Sequence, residues 1–170
     1  MYATLEKSIR ILSSTLALAG GFALIALTAI TCISILGRVL VPLDIGIGPI
    51  RGIYDITEIC IAAAVFAFLP WAQFKESHAR VDLFQWALPK KLNQFLELIF
   101  NFLMSIFASV ITYRMYLGMQ DKIYYGETTV IAQIPAWQGY ALGLIGAVGF
   151  VFVACFCVLR SARRLIGLED

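Results

Sequence analysis

The most constraining feature of this sequence is its long stretches without a charged residue. Ile11 to Gly37 is one uncharged run of 27 residues, and Thr128 to Leu159 is another of 32. At 1.5 Å per residue the first run makes about 40 Å of helix, whereas the hydrocarbon core of a bilayer is about 30 Å thick. Both runs therefore predict helices that cross a membrane.

Two further apolar stretches complete the pattern. In one, Asp55 and Glu58 are confined to the first turns, and Pro70 near the other end is expected to kink or end the helix. The other is centred on Leu98 to Tyr113. We predict an all-α integral membrane protein whose single transmembrane domain takes in the whole chain, residues 1–170. Its four predicted spans cover about residues 11–37, 53–74, 92–117 and 135–159.

Composition supports this fold class. Hydrophobic residues make up 61% of the chain and charged residues 14%, whereas soluble domains have roughly 45–50% and about 25%. The net charge of +2 is too small to indicate nucleic-acid binding. The N-terminus, the second connection and the C-terminus together hold nine Lys and Arg residues, against four in the other two connections. The positive-inside rule then predicts that both termini and the central connection lie in the cytoplasm.

The residue inventory argues against an enzyme, a cofactor or a metal site. All four cysteines fall inside apolar runs, and none forms a Cys-x-x-Cys pair. His78 is the only histidine, so this chain cannot supply two axial imidazoles to a haem. No Cys, His and carboxylate cluster has the spacing of zinc ligands. We therefore expect no catalytic activity, cofactor or metal.

The positions of the acidic and basic residues also argue against a carrier that works without a partner subunit. An ion-coupled carrier usually holds such a residue near the bilayer midplane, but here the deepest are Glu58, Glu97 and Arg114, all at or near a helix end. This distribution predicts a structural or coupling subunit. The alternative is a self-sufficient homo-oligomeric transporter or channel.

Small and weakly polar residues recur at helical spacing and predict packing faces. They can serve a partner helix or the chain's own bundle, and the sequence leaves both possibilities open. The three stripes are Thr28, Thr31 and Ser34; Glu97, Asn101, Ser105, Ser109 and Thr112; and Gly139, Gly143, Gly146 and Gly149.

Three ionic residues are predicted to lie toward the outer ends of the spans: Arg38, Glu58 and Arg114. One hypothesis is that Glu58 pairs with Arg38 or Arg114 and fixes the outer mouth of the bundle. The alternative is that all three extend separately to the headgroup level.

The connection between the second and third spans mixes charges with Leu, Phe and Trp over residues 75–89. This composition favours a short interfacial amphipathic segment. Within it, His78, Arg80 and Asp82 alternate along the chain. No nucleophile or metal ligand stands near His78 in sequence, so anchoring or subunit contact is the predicted role.

Short motifs recur along nearly the whole chain. They are Gly37-Arg38, Glu58, His78-Ala79-Arg80-Val81-Asp82, Leu88-Pro89, Tyr125-Gly126-Glu127-Thr128 and Ile134-Pro135-Ala136-Trp137. Taken in order, these motifs resemble the small membrane subunit of tripartite ATP-independent periplasmic (TRAP) transporters, the DctQ-like family. The chain departs from the family at Thr57, where a second acid is frequent, and at Ser77, where a glycine often precedes the histidine.

The resemblance implies a bacterial inner-membrane protein that pairs with a large multi-span subunit carrying the substrate and sodium sites. It also implies a periplasmic binding protein that delivers an organic acid, and an elevator mechanism in which the small subunit belongs to the static frame. Membrane lipids are further expected partners. The outer connections, residues 39–52 and 120–134, would face the binding protein. Candidates for partner or structural contacts are Arg38, Glu58, His78, Arg80, Asp82, Arg114 and Glu127.

Overall fold

A computed structural model describes residues 2–40, 50–75 and 90–167. They form four helices: α1 (Tyr2–Leu40), α2 (Ile53–Phe74), α3 (Lys90–Tyr125) and α4 (Ala136–Ile166). Each helix is long and apolar enough to cross a membrane, which confirms the predicted all-α, four-span membrane protein. The predicted amphipathic segment, with His78, Arg80 and Asp82, lies outside the described residues.

Three of the helices are longer than the predicted spans. The bounds of α2 coincide with the prediction, but α1 begins at Tyr2, α3 continues to Tyr125 and α4 to Ile166. With 36 residues, α3 is about 54 Å long. An uncharged run marks only the part of a helix that suits hydrocarbon, whereas backbone hydrogen bonding continues into the charged turns beyond it.

Pro70 lies inside α2, which continues for one more turn to Phe74. Of the two expected effects of Pro70, a kink or an end of the helix, the structure excludes the second, and the helix ends at Phe74 as the predicted span did. Proline has no N–H to donate to the carbonyl four residues earlier, which here belongs to Phe66. That carbonyl is available for contact with a neighbouring helix.

The central helix of the bundle is α4. It packs along α2 on one side and α3 on the other, while α1 packs mainly on α2 and also touches α4. Half of the most apolar window of α4 is buried, against 11% in both α1 and α3. Bulky apolar side chains such as Phe22 on α1 and Phe100 on α3 are exposed, as suits faces that meet lipid or another membrane protein.

The glycine stripe of α4 lies at these internal contacts. A Cβ atom added to Gly139 would meet Ile59, and one added to Gly143 would meet Phe66 and Met115. At Gly146 it would lie 2.5 Å from the carbonyl carbon of Phe66. The stripe is thus used by the chain's own bundle, which decides between the two interpretations of this motif.

Candidate functional site

A buried hydrogen-bond network joins three helices near one end of the bundle. Gln73 on α2 donates its side-chain amide to the Oδ1 atom of Asn101 on α3 at 3.1 Å. Asn101 in turn donates to the Oγ atom of Ser161 on α4 at 2.7 Å. All three side chains are buried. Since a polar group in an apolar interior is costly unless it is hydrogen-bonded, this network specifies how the three helices meet.

Two further residues of the polar stripe on α3, Glu97 and Thr112, also contact α4. Arg164 donates to Glu97 at 2.7 Å in a half-buried ion pair. The hydroxyl of Thr112 donates to the carbonyl of Ala108 in its own helix at 2.8 Å and also lies 3.3 Å from the carbonyl of Ala147 on α4. Ser109 differs, because it is exposed and its hydroxyl donates to a carbonyl of its own helix. The stripe therefore holds α3 against α4.

The opposite end of the bundle is organised by Asp55, in the first turn of α2. Its Oδ2 atom accepts hydrogen bonds from the backbone N–H groups of Ile131 and Ala132 at 2.9 and 2.7 Å. Gly52, with a φ of +75°, lies directly beneath Ala132: an added Cβ would come within 2.6 Å of that residue's own Cβ. One carboxylate and one glycine thus fasten the connection between α3 and α4 to the start of α2.

The connection between α3 and α4 is internally bonded as well. Gly126 reverses the chain after α3 with a φ of +61°. Thr129 and Ile134 then bond to each other twice, through the Thr129 N–H and through the Thr129 hydroxyl oxygen. Pro135 directly precedes α4, in agreement with the predicted span that begins at residue 135. The connection and the end of α3 expose several large side chains, among them Tyr124, Tyr125, Val130 and Ile131.

The predicted ionic residues at this end are not brought together. Arg38, Glu58 and Arg114 are all exposed, and among the described residues Glu58 forms no ion pair with either arginine. Glu127 is paired with Lys122 near the end of α3. Their roles as partner contacts stay predictions, as do those of His78, Arg80 and Asp82.

Sequence reasoning missed the residues that organise both ends of the bundle. Asp55 was noted only as a charge near a helix start, and Gln73, Ser161 and Arg164 were not singled out. A polar amide inside an apolar span is itself a signal, because it needs a partner there. Gln73 could therefore have been predicted from the sequence as a residue that contacts another helix, but its partner could not.

The described residues contain no group of three or more His, Cys, Asp and Glu residues placed to hold a metal ion. The contacts described above pack the helices against one another and leave large side chains exposed on the connection between α3 and α4. The family model of the DctQ component of tripartite ATP-independent periplasmic transporters matches residues 27–166. The chain belongs to the DctQ family.

The matched region takes in the last third of α1 and all of the other three helices. Membership makes the chain the small membrane component of a TRAP transporter. In TRAP systems this component works with a large DctM subunit and a periplasmic binding protein. No curated protein and no solved structure gives a significant match.

Proposed function

We propose that this DctQ protein is the static scaffold for the large subunit of a sodium-coupled organic-acid transporter. The observation that carries the proposal is that the middle of every helix holds no acidic residue, lysine, arginine or histidine. Residues 11–37, 59–74, 98–113 and 136–159 have no Asp, Glu, Lys, Arg or His. Since ion-coupled carriers usually need such a group within the membrane, ion coupling is assigned to the large subunit.

The internal contacts of the bundle support a static role. A subunit that braces a moving neighbour has to keep its own helices in register. Here Asn101 bonds to both α2 and α4, and Gly146 brings the backbones of α4 and α2 into direct contact. Close backbone approach at small residues is a main source of helix association in lipid.

The protein's surface is assigned as follows. Both termini lie in the cytoplasm of a bacterium and the protein spans its inner membrane, so the connection between α3 and α4 faces the periplasm. The exposed Tyr124, Tyr125 and Ile131 then belong to a docking surface for the binding protein. Aromatic residues are enriched at protein interfaces, which supports this assignment.

The exposed Arg38, Glu58 and Arg114 are contacts for the large subunit or for lipid headgroups, and Glu127 is a contact for the binding protein.

Reconstitution tests the proposal. Liposomes containing this chain alone are expected to accumulate no organic acid under a sodium gradient. Liposomes that also contain the large subunit, with the binding protein added outside, are expected to accumulate it. The control contains the large subunit and binding protein without this chain, and a scaffold role predicts little or no uptake. Uptake by this chain alone would contradict the proposal and support the self-sufficient alternative.

Asp55→Ala is expected to release the periplasmic connection without unfolding the helices. Ile131 and Ala132 lose the oxygen that accepts their N–H groups, so their amide hydrogen exchange should become several-fold faster. Capture of the binding protein should weaken in parallel if the connection is part of the docking surface. Hydrogen exchange and a binding titration with the assembled membrane complex measure the two effects.

Two variants control this experiment. Asp55→Asn keeps an acceptor oxygen and should retain part of the protection. Thr57→Ala lies on the same turns of α2, where the Thr57 hydroxyl donates to the Ile53 carbonyl of its own helix, and it should leave exchange at Ile131 unchanged. Faster exchange in Asp55→Ala with undiminished capture would argue against docking at this connection.

A further inference from the structure

A cleft of about 320 Å³ opens at the end of the bundle where α1 begins and α2 and α4 end. This is the end opposite the connection that Asp55 fastens. It takes its walls from three helices, and its lining is unusually rich in charge. The lining residues are Glu6, Arg10, Phe74, Lys75, Arg160 and Arg164.

The lining carries an excess of positive charge. Four cations and one carboxylate line the cleft, and the ion pair with Glu97 matches Arg164. Arg10 and Lys75 are both exposed and form no ion pair with another described residue, so both can approach an anion without breaking an existing ion pair.

Aromatic rings hold two of the cations in place. The Lys75 ammonium lies 5.1 Å from the ring centre of Trp71, and the Arg160 guanidinium lies 5.6 Å from that of Phe74. Arg160 also donates to the Phe74 carbonyl at 3.4 Å. Cations positioned in this way lose little conformational freedom on binding an anion.

The position of the cleft relative to the membrane indicates which kind of anion it can bind. Arg10 and Arg160 directly flank the uncharged runs 11–37 and 128–159, so the cleft opens at the level of the lipid headgroups. Leu12, on α1 just past Arg10, is exposed on the apolar side of this boundary. An anion whose charged group sits among arginine and lysine and whose tail runs along apolar helices fits both features. Arginine and lysine are the usual protein partners of phosphate.

We propose that this cleft binds the phosphate group of an anionic phospholipid. Free inorganic phosphate presents the same chemistry to the cations but lacks the acyl chains. The site differs from the surfaces assigned to the protein partners, because it lies at the other end of the bundle from the docking connection and is built from α1, α2 and α4. Its expected effect is to hold the ends of these helices together at the membrane boundary.

A matched pair of double variants tests the site. Arg10→Gln combined with Lys75→Gln removes two lining cations, whereas Lys7→Gln combined with Lys91→Gln removes two exposed cations from the same end that do not line the cleft. Both variants lower the net charge equally. Binding is measured on the full-length purified chain by native mass spectrometry, with phosphatidylglycerol as the anionic lipid and phosphatidylcholine as the neutral one. Circular dichroism checks that each variant keeps its helices.

The cleft variant is expected to bind phosphatidylglycerol about 25-fold more weakly, since each cation near an anionic lipid contributes roughly fivefold. The control variant should lose at most about fivefold, and phosphatidylcholine binding should change in neither. Equal losses in the two variants would overturn the site in favour of general attraction to a basic surface. Displacement of the lipid by millimolar inorganic phosphate, with no preference for the acylated ligand, would overturn the lipid as its occupant.

Discussion

Replacing Gly146 with alanine is expected to destabilise the bundle by about 1–3 kcal/mol, the usual range for overpacking a close contact. The added Cβ would lie 2.5 Å from the carbonyl carbon and 2.6 Å from the carbonyl oxygen of Phe66. These are backbone atoms, so no side-chain rotation can relieve the overlap. Instead, α4 has to move away from α2 along a contact that also includes Pro70 and Gly149.

The cause of this close approach lies in the sequence of both helices. Pro70 leaves the Phe66 carbonyl without its helical N–H donor, and the absence of a side chain at Gly146 lets α4 reach that carbonyl. Short contacts between a Cα–H group and a carbonyl oxygen recur at such helix interfaces. A bulkier replacement, Gly146→Leu, is expected to cost more than alanine and to reduce assembly with the large subunit.

Gly21→Ala is the matched control. Gly21 also lies inside a membrane helix, but no atom lies within 4 Å of its added Cβ. Alanine there should be neutral or stabilising by up to about 1 kcal/mol, because glycine is the weaker helix former. Unfolding of both variants in mixed micelles, followed by circular dichroism, gives the comparison. Equal stability of Gly146→Ala and Gly21→Ala would contradict the contact between α4 and α2.

Replacing Asn101 with leucine is the second large effect, with an expected cost of about 1–3 kcal/mol. The variant leaves the Gln73 amide and the Ser161 hydroxyl without their partner, and a buried polar group that loses its hydrogen bond costs about that much. Single interhelical hydrogen bonds in membranes average only about 0.6 kcal/mol. The larger estimate follows because Asn101 is 8% exposed and serves two helices at once.

Two further variants separate the network from simple packing. Ser109→Ala removes an exposed hydroxyl of the same helix that bonds only to its own backbone, and it should change stability by less than about 0.5 kcal/mol. Combining Gln73→Leu with Asn101→Leu should cost less than the two single changes added together, since no orphan amide is then left. Strict additivity would show that the two amides do not act as a pair.

The number of membrane spans could be predicted from the sequence because each span depends only on the residues within its own stretch of chain. An uncharged run long enough to cross hydrocarbon is visible in any window of the chain, and charged residues can then lie only near the ends. The helix bounds were less accessible. The charged turns before Ile11 and after Leu159 are helical too. Hydrophobicity marks the part of a helix that lies in lipid but does not show where the helix ends in water.

The family was also predictable, since its short motifs are spread along the chain in a fixed order. The family model then matched residues 27–166. A motif nevertheless shows only which residue type stands at a position, and it does not show which other residue that side chain contacts. Among the described residues Glu58 forms no ion pair with Arg38 or Arg114. The connection after α3 is instead bonded to the start of α2 through Asp55.

The sequence by itself determined that this protein lies in a membrane, that it has four helices and that their middle parts carry no charge. Only the tertiary structure decided which helix is central and what each packing stripe touches. Gly146 and the polar stripe of α3 are equally suited to a partner helix or to a neighbour in the same chain. The choice depends on which helices pack side by side, and contacts such as those of Asn101 with Gln73 and Ser161 are set only when distant segments meet.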